Sequence, residues 1–187
     1  MKSNSAGILK GLIINLVLVF AVMLSAGTAL AEGISETEIL KAQQEWADGI
    51  VAIGKAYTDK QDYKKVAQDM INDLYAFQAT KVLFKPTKAA DIQFRPTKEG
   101  TLSYFIGNNK DFPEDKGFAL QPWIKVKITN SGGMYIKNEI ALAMGVYSFT
   151  TSDGEIVDVD FSFGYIKNEQ GKIKIILQHS SLPYSHK

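Results

Sequence analysis

Polar side chains able to act on a small substrate are concentrated near the C-terminal end of the chain. The run from Gln178 to Tyr184 places His179, Ser180 and Ser181 directly after an apolar stretch. Alternate residues of a strand share a face, so an inward-facing His179 would end an apolar row with an imidazole beside two hydroxyl groups. Such an imidazole could take up a proton while the hydroxyl groups stabilise developing negative charge. An ordinary hydrogen-bonded histidine near a strand end, followed by capping serines, fits the same residues equally well.

Two other positions offer hydroxyl groups. In the run Lys85-Pro86-Thr87-Lys88, a rigid proline precedes Thr87 at the predicted end of a strand, which could hold the hydroxyl at a pocket mouth. The spacing alone is also typical of a solvated turn. Tyr104 lies among apolar residues, where a phenol belongs either to the core or to a pocket lining. Glu114 and Asp115 lie in a polar loop, where we expect solvated carboxylates.

The composition excludes several kinds of active site. The 187 residues include no cysteine and two histidines. A disulfide framework, a cysteine-ligated zinc, an iron–sulfur cluster and a cysteine nucleophile are therefore excluded, and one chain cannot supply a three-histidine zinc site. A formal net charge of +1 argues against a nucleic-acid partner. No glycine-rich phosphate loop, Gly-x-Ser-x-Gly turn or His-Glu-x-x-His helix is present, so we predict neither metal nor cofactor.

Residues 1–31 have the pattern of a cleaved signal peptide. Lys2 and Lys10 precede an apolar run that is too short to span a membrane comfortably, and Ala29-Leu30-Ala31 fits the small-residue cleavage rule. No cysteine follows the run, which excludes a bacterial lipoprotein anchor. We therefore predict cleavage after Ala31, a single domain at residues 32–187, and a periplasmic or secreted location without membrane attachment.

The mature chain begins with two predicted helices. Ser35 and Glu38 have the spacing of a capping box, and Asp62 can cap a second helix over residues 62–79. Apolar residues recur at helical spacing in both segments, which gives each one buried face. The first stripe is Ile39, Trp46, Ile50, Ile53 and Tyr57, and the second is Tyr63, Val66, Met70, Leu74 and Phe77.

Strands follow the helices. Two short strands are predicted at 82–84 and 101–106, and longer alternating segments are separated by three turn signals. These turns, at 130–133, 152–154 and 168–171, imply a meander of four antiparallel strands over 123–129, 134–149, 156–166 and 172–178.

Helices followed by a strand meander indicate an α+β fold, with the N-terminal helices packed on a curved antiparallel sheet and a pocket between them. The segment from Ile140 to Phe149 is apolar on both faces. One face can meet the helices, and the other favours burial against a second copy in a homodimer, with cover by long loops as the alternative.

Eight stretches in order carry a resemblance to a known family. They read VLFKPTKAA (82–90), QFR (93–95), SYFIG (103–107), EDKGFA (114–119), PW (122–123), ALAMG (141–145), FGY (163–165) and HSSLPY (179–184). This series resembles the iota-class carbonic anhydrases, in particular the branch of cyanobacteria, other bacteria and algae. The similarity covers most of the mature chain, from Trp46 to Tyr184.

The resemblance implies a nuclear-transport-factor-like, cystatin-like cone, akin to the association domain of calmodulin-dependent kinase. It implies reversible hydration of carbon dioxide to bicarbonate without a metal, with Thr87, Tyr104 and Ser180 around the substrate and His179 and Ser181 close by. Many relatives read His-His-Ser-Ser, whereas this chain has Gln178 at the first position, and an amide cannot titrate.

A metal-free mechanism would orient one water molecule and stabilise charge on the oxygens of carbon dioxide through these hydroxyl groups. His179 is one candidate proton acceptor, and Tyr104 or bulk water relayed by Ser181 are the others. A non-catalytic binding protein for a small anion or apolar ligand is the alternative function. A metal-dependent hydrolase is disfavoured by the absence of cysteine and the two histidines.

Overall fold

The computed structural model describes residues 33–185, which form three α-helices and five strands. The predicted signal peptide, residues 1–31, lies outside this range. Within 33–185, no helix is long and apolar enough to cross a membrane. The helices are α1 (Glu36–Thr58), α2 (Tyr63–Leu74) and α3 (Lys98–Ile106), and the strands are β1 (Leu83–Lys85), β2 (Lys125–Lys137), β3 (Ile140–Thr150), β4 (Ile156–Lys167) and β5 (Ile173–Ser181).

The two N-terminal helices begin where their caps predict. The Ser35 side chain accepts from the backbone N–H of Glu38, whose side chain in turn accepts from the Ser35 backbone, which completes the capping box. Asp62 caps α2 in the same way. Helix α2 ends at Leu74 rather than at residue 79, because Tyr75 leaves the helix in extended conformation to bridge Ile175 of β5.

The sheet has the order β1-β5-β4-β3-β2. Strands β2 to β5 form the predicted antiparallel meander. Strand β1 instead pairs in parallel with β5, so the expectation of a wholly antiparallel sheet is wrong. The parallel pair is possible because α3 and the strands β2 to β4 lie between Leu83 and the C-terminal strand, and it brings the end of β1 beside His179.

The second predicted short strand, 101–106, is helical. Helix α3 is capped by Thr97, whose side-chain oxygen accepts from the N–H of Gly100 at 3.1 Å. The helix is buried on most of its sides, including Ser103, Tyr104 and Phe105, so its sequence shows no amphipathic stripe. Without a helical stripe, the aromatic and β-branched residues of this segment favoured a strand, and that prediction is wrong.

The predicted turn at 130–133 is a bulge inside β2. The pairing with β3 shifts register between Thr129 and Gly133, and the chain turns later, at Asn138, whose φ is 54°. Gly145 of β3 makes the bulge possible, because a Cβ at that position would lie 1.9 Å from the carbonyl oxygen of Thr129. Strand β2 therefore runs on to Lys137, whereas the turn signal predicted that it ends at residue 129.

Helix α1 covers the inner face of the sheet through aromatic packing. The indole of Trp46 stacks on Tyr147 with ring centroids 4.8 Å apart and meets Phe163 edge-on at 5.9 Å. The predicted alternation of β4 is confirmed, since Phe161 and Phe163 are buried whereas Asp158 is exposed. The core therefore lies between the helices and one face of a curved sheet.

Strand β5 contains a second bulge. Ile175 pairs with Tyr165 and Leu177 pairs with Gly164, which leaves Ile176 as an extra residue without a partner in the ladder. One extra residue reverses which later positions of a strand face inward. The C-terminal half of β5 therefore presents the opposite set of side chains to the core from the set that simple alternation predicts.

Candidate functional site

The bulge in β5 decides which polar side chains enter the interior. Gln178 and Ser180 face inward and are 2% and 6% exposed, whereas His179 is exposed on the outer face of the sheet. The expectation that His179 continues the inward row is wrong, because it assumed unbroken alternation along β5. Ser181 alternates to the same outer face as His179, and it pairs with Asp160 of β4.

Three of the predicted hydroxyl residues come together inside. Thr87 lies just beyond β1, and its Oγ1 donates to the Oγ of Ser180 at 2.9 Å. The parallel pairing of Lys85 with His179 sets this approach. Tyr104, from α3, lies close enough to Thr87 for that side chain to act on the pKa of its phenol. We call Thr87, Tyr104 and Ser180 the hydroxyl cluster.

Tyr104 is held as a neutral phenol. Its side chain is 6% exposed, and burial raises its pKa above the usual value of 10. Hydrogen bonds from the backbone of Lys88 and from the side chain and backbone of Thr87 oppose this rise without cancelling it. At neutral pH the phenol is therefore a hydrogen-bond donor and not a base.

A cavity of about 270 Å³ lies against Tyr104. It exceeds the roughly 30 Å³ that one water molecule occupies in the liquid, so a small anion fits with its water. Lys88 and Lys116 line it together with Glu114 and Asp115, so its lining carries charges of both signs. The other lining residues include Gly117, Phe118 and Gln121.

An ion pair that the sequence reading missed supports this cavity. Arg95 is fully buried, and its Nε and Nη2 donate to the two carboxylate oxygens of Asp115 at 3.1 and 2.7 Å. Ser103 of α3 donates to the same carboxylate at 2.6 Å. The expectation that Asp115 is solvated is wrong, because a buried guanidinium holds it. A buried, bidentate pair of this kind fixes the loop relative to the helix that carries Tyr104.

Glu114 fastens the segment that follows Thr87. Its carboxylate accepts from the backbone N–H groups of Ala90, Asp91 and Ile92 at 2.8, 3.1 and 3.0 Å. These bonds, with Ala90 first, and a weaker one from Arg95 lower the pKa of Glu114 from 4.5 to about 2. The carboxylate is therefore bound by the protein, contrary to the expectation of a solvated group.

His179 lies in a different environment from the hydroxyl cluster. It borders a groove of about 580 Å³ on the outer face, whose apolar walls include Leu83, Phe94 and Leu177. A strand backbone separates this groove from the inward-facing Ser180. Sequence reading could have found this separation only by placing the bulge at Ile176.

No metal-binding group was found in the part of the chain that the structure describes. Among residues 33–185, no three His, Cys, Asp or Glu side chains are grouped so that they could hold a metal ion. The hydroxyl cluster itself presents neutral donors in a largely buried setting, which suits stabilisation of negative charge that develops on a small substrate.

The Glu114 contacts predict a pH-dependent contribution to stability. A carboxylate whose folded-state pKa is lowered stabilises the fold above its unfolded pKa, and the contribution is lost as the pH falls through the folded value. The free energy of unfolding of the wild type should exceed that of Glu114→Gln by a constant amount between pH 5.5 and 7. We expect the difference to shrink as the pH falls from 4.5 towards 2.

Urea unfolding at a series of pH values, followed by tryptophan fluorescence, measures this difference. Glu38→Gln serves as a control. The pKa of Glu38 is also lowered to about 2, but its partners are Lys167 and Ser35 and not the segment held by Glu114. A difference that stays constant down to pH 2 would contradict the role assigned to Glu114.

Comparison with known proteins identifies the family. A family model described as metal-independent carbonic anhydrase matches residues 37–182. The metal-independent carbonic anhydrase of Nostoc sp. (strain PCC 7120) is 44% identical over 154 residues, which are 81% of this chain and 75% of the relative.

Solved structures agree with this match. The iota-carbonic anhydrase of a cyanobacterium, crystallised with bicarbonate, is 43% identical with a TM-score of 0.80, over 82% of this chain and 95% of that one. A putative calcium/calmodulin-dependent protein kinase II association domain from Xanthomonas campestris, 23% identical with a TM-score of 0.51 over 82% and 91% of the two chains, shares the fold alone. The predicted α+β fold and enzyme class are confirmed, and this chain belongs to the family of metal-independent carbonic anhydrases.

Proposed function

We propose that the hydroxyl cluster of Thr87, Tyr104 and Ser180 is where this chain hydrates carbon dioxide to bicarbonate without a metal ion. The observation that carries the proposal is the 2.9 Å contact from Thr87 Oγ1 to Ser180 Oγ beside a buried, neutral Tyr104. The similar cyanobacterial structure that holds bicarbonate supports the substrate assignment.

The cluster provides donors where negative charge develops. Because Ser180 accepts from Thr87, its own proton is directed onward, to an oxygen of carbon dioxide. Tyr104 adds a second donor, since burial keeps its phenol protonated. When water attacks the carbon atom, charge accumulates on the substrate oxygens, and fixed donors in a buried site stabilise that charge without reorganising.

The proton released by the attacking water passes to solvent in this proposal. His179 lies across the β5 backbone from the cluster, and Tyr104 is already protonated because burial raises its pKa, so no phenolate is present to take up the proton. The side chain of Ser181, like that of His179, alternates to the outer face of β5, so it does not lie between the inward-facing cluster and solvent. Of the acceptors considered from the sequence, bulk water is therefore the one that fits the geometry, and it is reached from the half-exposed side at Thr87.

Removing one hydroxyl group should slow hydration while the protein stays folded. We expect Thr87→Val and Ser180→Ala each to lower kcat/KM roughly 100-fold, as loss of one preorganised donor does. Thr87→Ser keeps the hydroxyl and should retain most of the rate. His179→Ala is the matched control on the same strand and should stay within about a factor of two, like other exposed substitutions. Stopped-flow hydration with a pH indicator measures these rates on mature protein treated with a strong chelator.

Each possible failure has a separate meaning. A wild type with no rate above buffer would contradict the enzyme and favour the small-ligand-binding alternative. A rate that disappears with chelator and returns with zinc or manganese would contradict the metal-free mechanism. A rate that falls with His179→Ala but not with Ser180→Ala would move the site to the outer groove.

We also propose that the outer face of β3 forms a homodimer interface. Ile140, Leu142 and Met144 are 51%, 47% and 56% exposed, and they form one apolar row. Leu142 pairs with Gly164 of β4, which in turn pairs with Leu177 of β5. The apolar surface therefore extends from β3 across β4 to β5. A contiguous surface of this kind favours burial against a second copy.

Leu142→Asp should convert the dimer to a monomer, because it places a charge in the middle of the interface. Tyr57→Asp is the control, since Tyr57 is also 47% exposed but lies on α1, away from this face. Sedimentation velocity of the mature protein gives the mass. A monomeric wild type, or a dimer that Leu142→Asp leaves intact, would contradict the interface.

The N-terminal pattern supports export to the periplasm or the medium, with cleavage after Ala31. Expression of the full chain in a bacterium, followed by N-terminal sequencing of the exported fraction, should give Glu32 as the first residue. Protein retained in the membrane with Met1 intact would show that the segment is an uncleaved anchor.

A further inference from the structure

A chain of four hydrogen-bonded side chains crosses the interior beside the hydroxyl cluster. Trp46 Nε1 donates to the Tyr75 hydroxyl oxygen at 2.9 Å, and Tyr75 donates to Oε1 of Gln178. Nε2 of Gln178 then donates to the Tyr147 hydroxyl oxygen at 3.2 Å. All four side chains are at most 2% exposed, so water does not compete for these bonds.

The chain has one direction. An indole N–H can only donate, so the Tyr75 oxygen accepts from Trp46 and its own proton goes to Gln178. The oxygen end of the Gln178 amide is thereby fixed towards Tyr75, and the NH₂ end faces Tyr147. Tyr147 accepts from Gln178, which leaves the phenol proton of Tyr147 to be donated to another acceptor.

The end of this chain lies in the same interior as the hydroxyl cluster. Gln178 and Ser180 are two residues apart on the inward row of β5, opposite Phe163 and Phe161 of β4. Phe161, the strand partner of Ser180, packs against the ring of Tyr147 with ring centroids 4.7 Å apart. The orientation of Gln178 therefore bears on a donor next to the proposed site.

We propose that Gln178 is a positioning residue for carbon dioxide hydration, and that its amide commits the Tyr147 hydroxyl to act as a further donor towards the substrate oxygens. The inference rests on the proposed function of the hydroxyl cluster. In the reaction, the water oxygen forms the bond to carbon and the water proton goes to solvent. Gln178 and Tyr147 neither gain nor lose a proton.

The groups around Gln178 make this role testable by pH. The titratable side chains that face it or its phenol partners are all phenols, from the end of α2 and from α3, β3 and β4: Tyr75, Tyr104, Tyr147 and Tyr165. Burial raises the pKa of each, so none ionises near neutral pH. The neighbouring pair in the strand register, Lys85 and His179, follows the pair of Phe84 with Gln178, and His179 is exposed on the outer face.

Gln178→Glu introduces one titrating group at this position without changing the shape of the side chain. When protonated, a glutamic acid can accept from Tyr75 and donate to Tyr147, as the amide does. When ionised, it can only accept, and it draws the Tyr147 proton to itself and away from the substrate. We therefore expect kcat/KM of Gln178→Glu, relative to wild type, to fall roughly tenfold or more between pH 6 and pH 9.

Stopped-flow hydration over this range, with the buffer rate subtracted, gives the ratio. Gln170→Glu makes the same change in the exposed turn before β5 and should follow the wild type at every pH. A Gln178→Glu ratio that stays constant with pH would overturn the proposal, because a purely structural loss does not follow ionisation of the new carboxyl group.

Tyr147→Phe provides a second test if Gln178→Glu does not fold. It keeps the ring stacked on Trp46 and removes only the hydroxyl. We expect kcat to fall roughly tenfold with little change in KM, since a transition-state donor is lost. A Tyr147→Phe rate equal to that of the wild type would also overturn the proposal. A wild type without activity would instead contradict the hydroxyl-cluster function.

Discussion

The single extra residue at Ile176 determines what the interior of this protein contains. Without it, the inward row of β5 would continue through Leu177 and end at His179, and the site would hold an imidazole. With it, an amide and a hydroxyl enter the interior, and the imidazole lies on the outer face. A bulge of this kind costs one ladder position and changes every later side chain of the strand. The chemistry available to the enzyme therefore follows from a backbone irregularity.

The remaining features keep that interior rigid and neutral. Asp115, held by Arg95 and by Ser103 of α3, joins the loop after Phe112 to that helix. Glu114 holds the segment after Thr87 by three backbone amides. These charges are paired within the protein and hold the walls of the cavity, whereas the three hydroxyl groups proposed as donors are uncharged. A buried charge without a partner would be costly, whereas neutral hydroxyl groups bonded to one another can be buried and still donate to a substrate.

Much of the architecture could be predicted from the sequence, because periodicity reports which face of an element is buried. The α1 stripe from Ile39 to Ile53 and the alternation of β4 are examples, and both are confirmed, whereas Tyr57, predicted to end the stripe, is exposed. Helix α3 was missed since a helix buried on most sides has no stripe, and the cap at Thr97 was its one local signal. The bulges at 130–133 and Ile176 depend on long-range pairing, with Gly145 as the one residue that hinted at a close approach. The candidate site shows the same limit: the resemblance named Thr87, Tyr104 and Ser180, but both the resemblance and the alternation placed His179 beside them, and the bulge puts it on the outer face.

The central claim is that the substrate is held by the inward hydroxyl cluster and not by the histidine on the outer face. The most direct measurement is a crystal structure of the mature protein soaked with bicarbonate. The account predicts density for the anion within hydrogen-bonding distance, about 3 Å, of Thr87 Oγ1, Ser180 Oγ and the Tyr104 hydroxyl. Bicarbonate bound beside His179 in the outer groove, with the interior free of the anion, would contradict it.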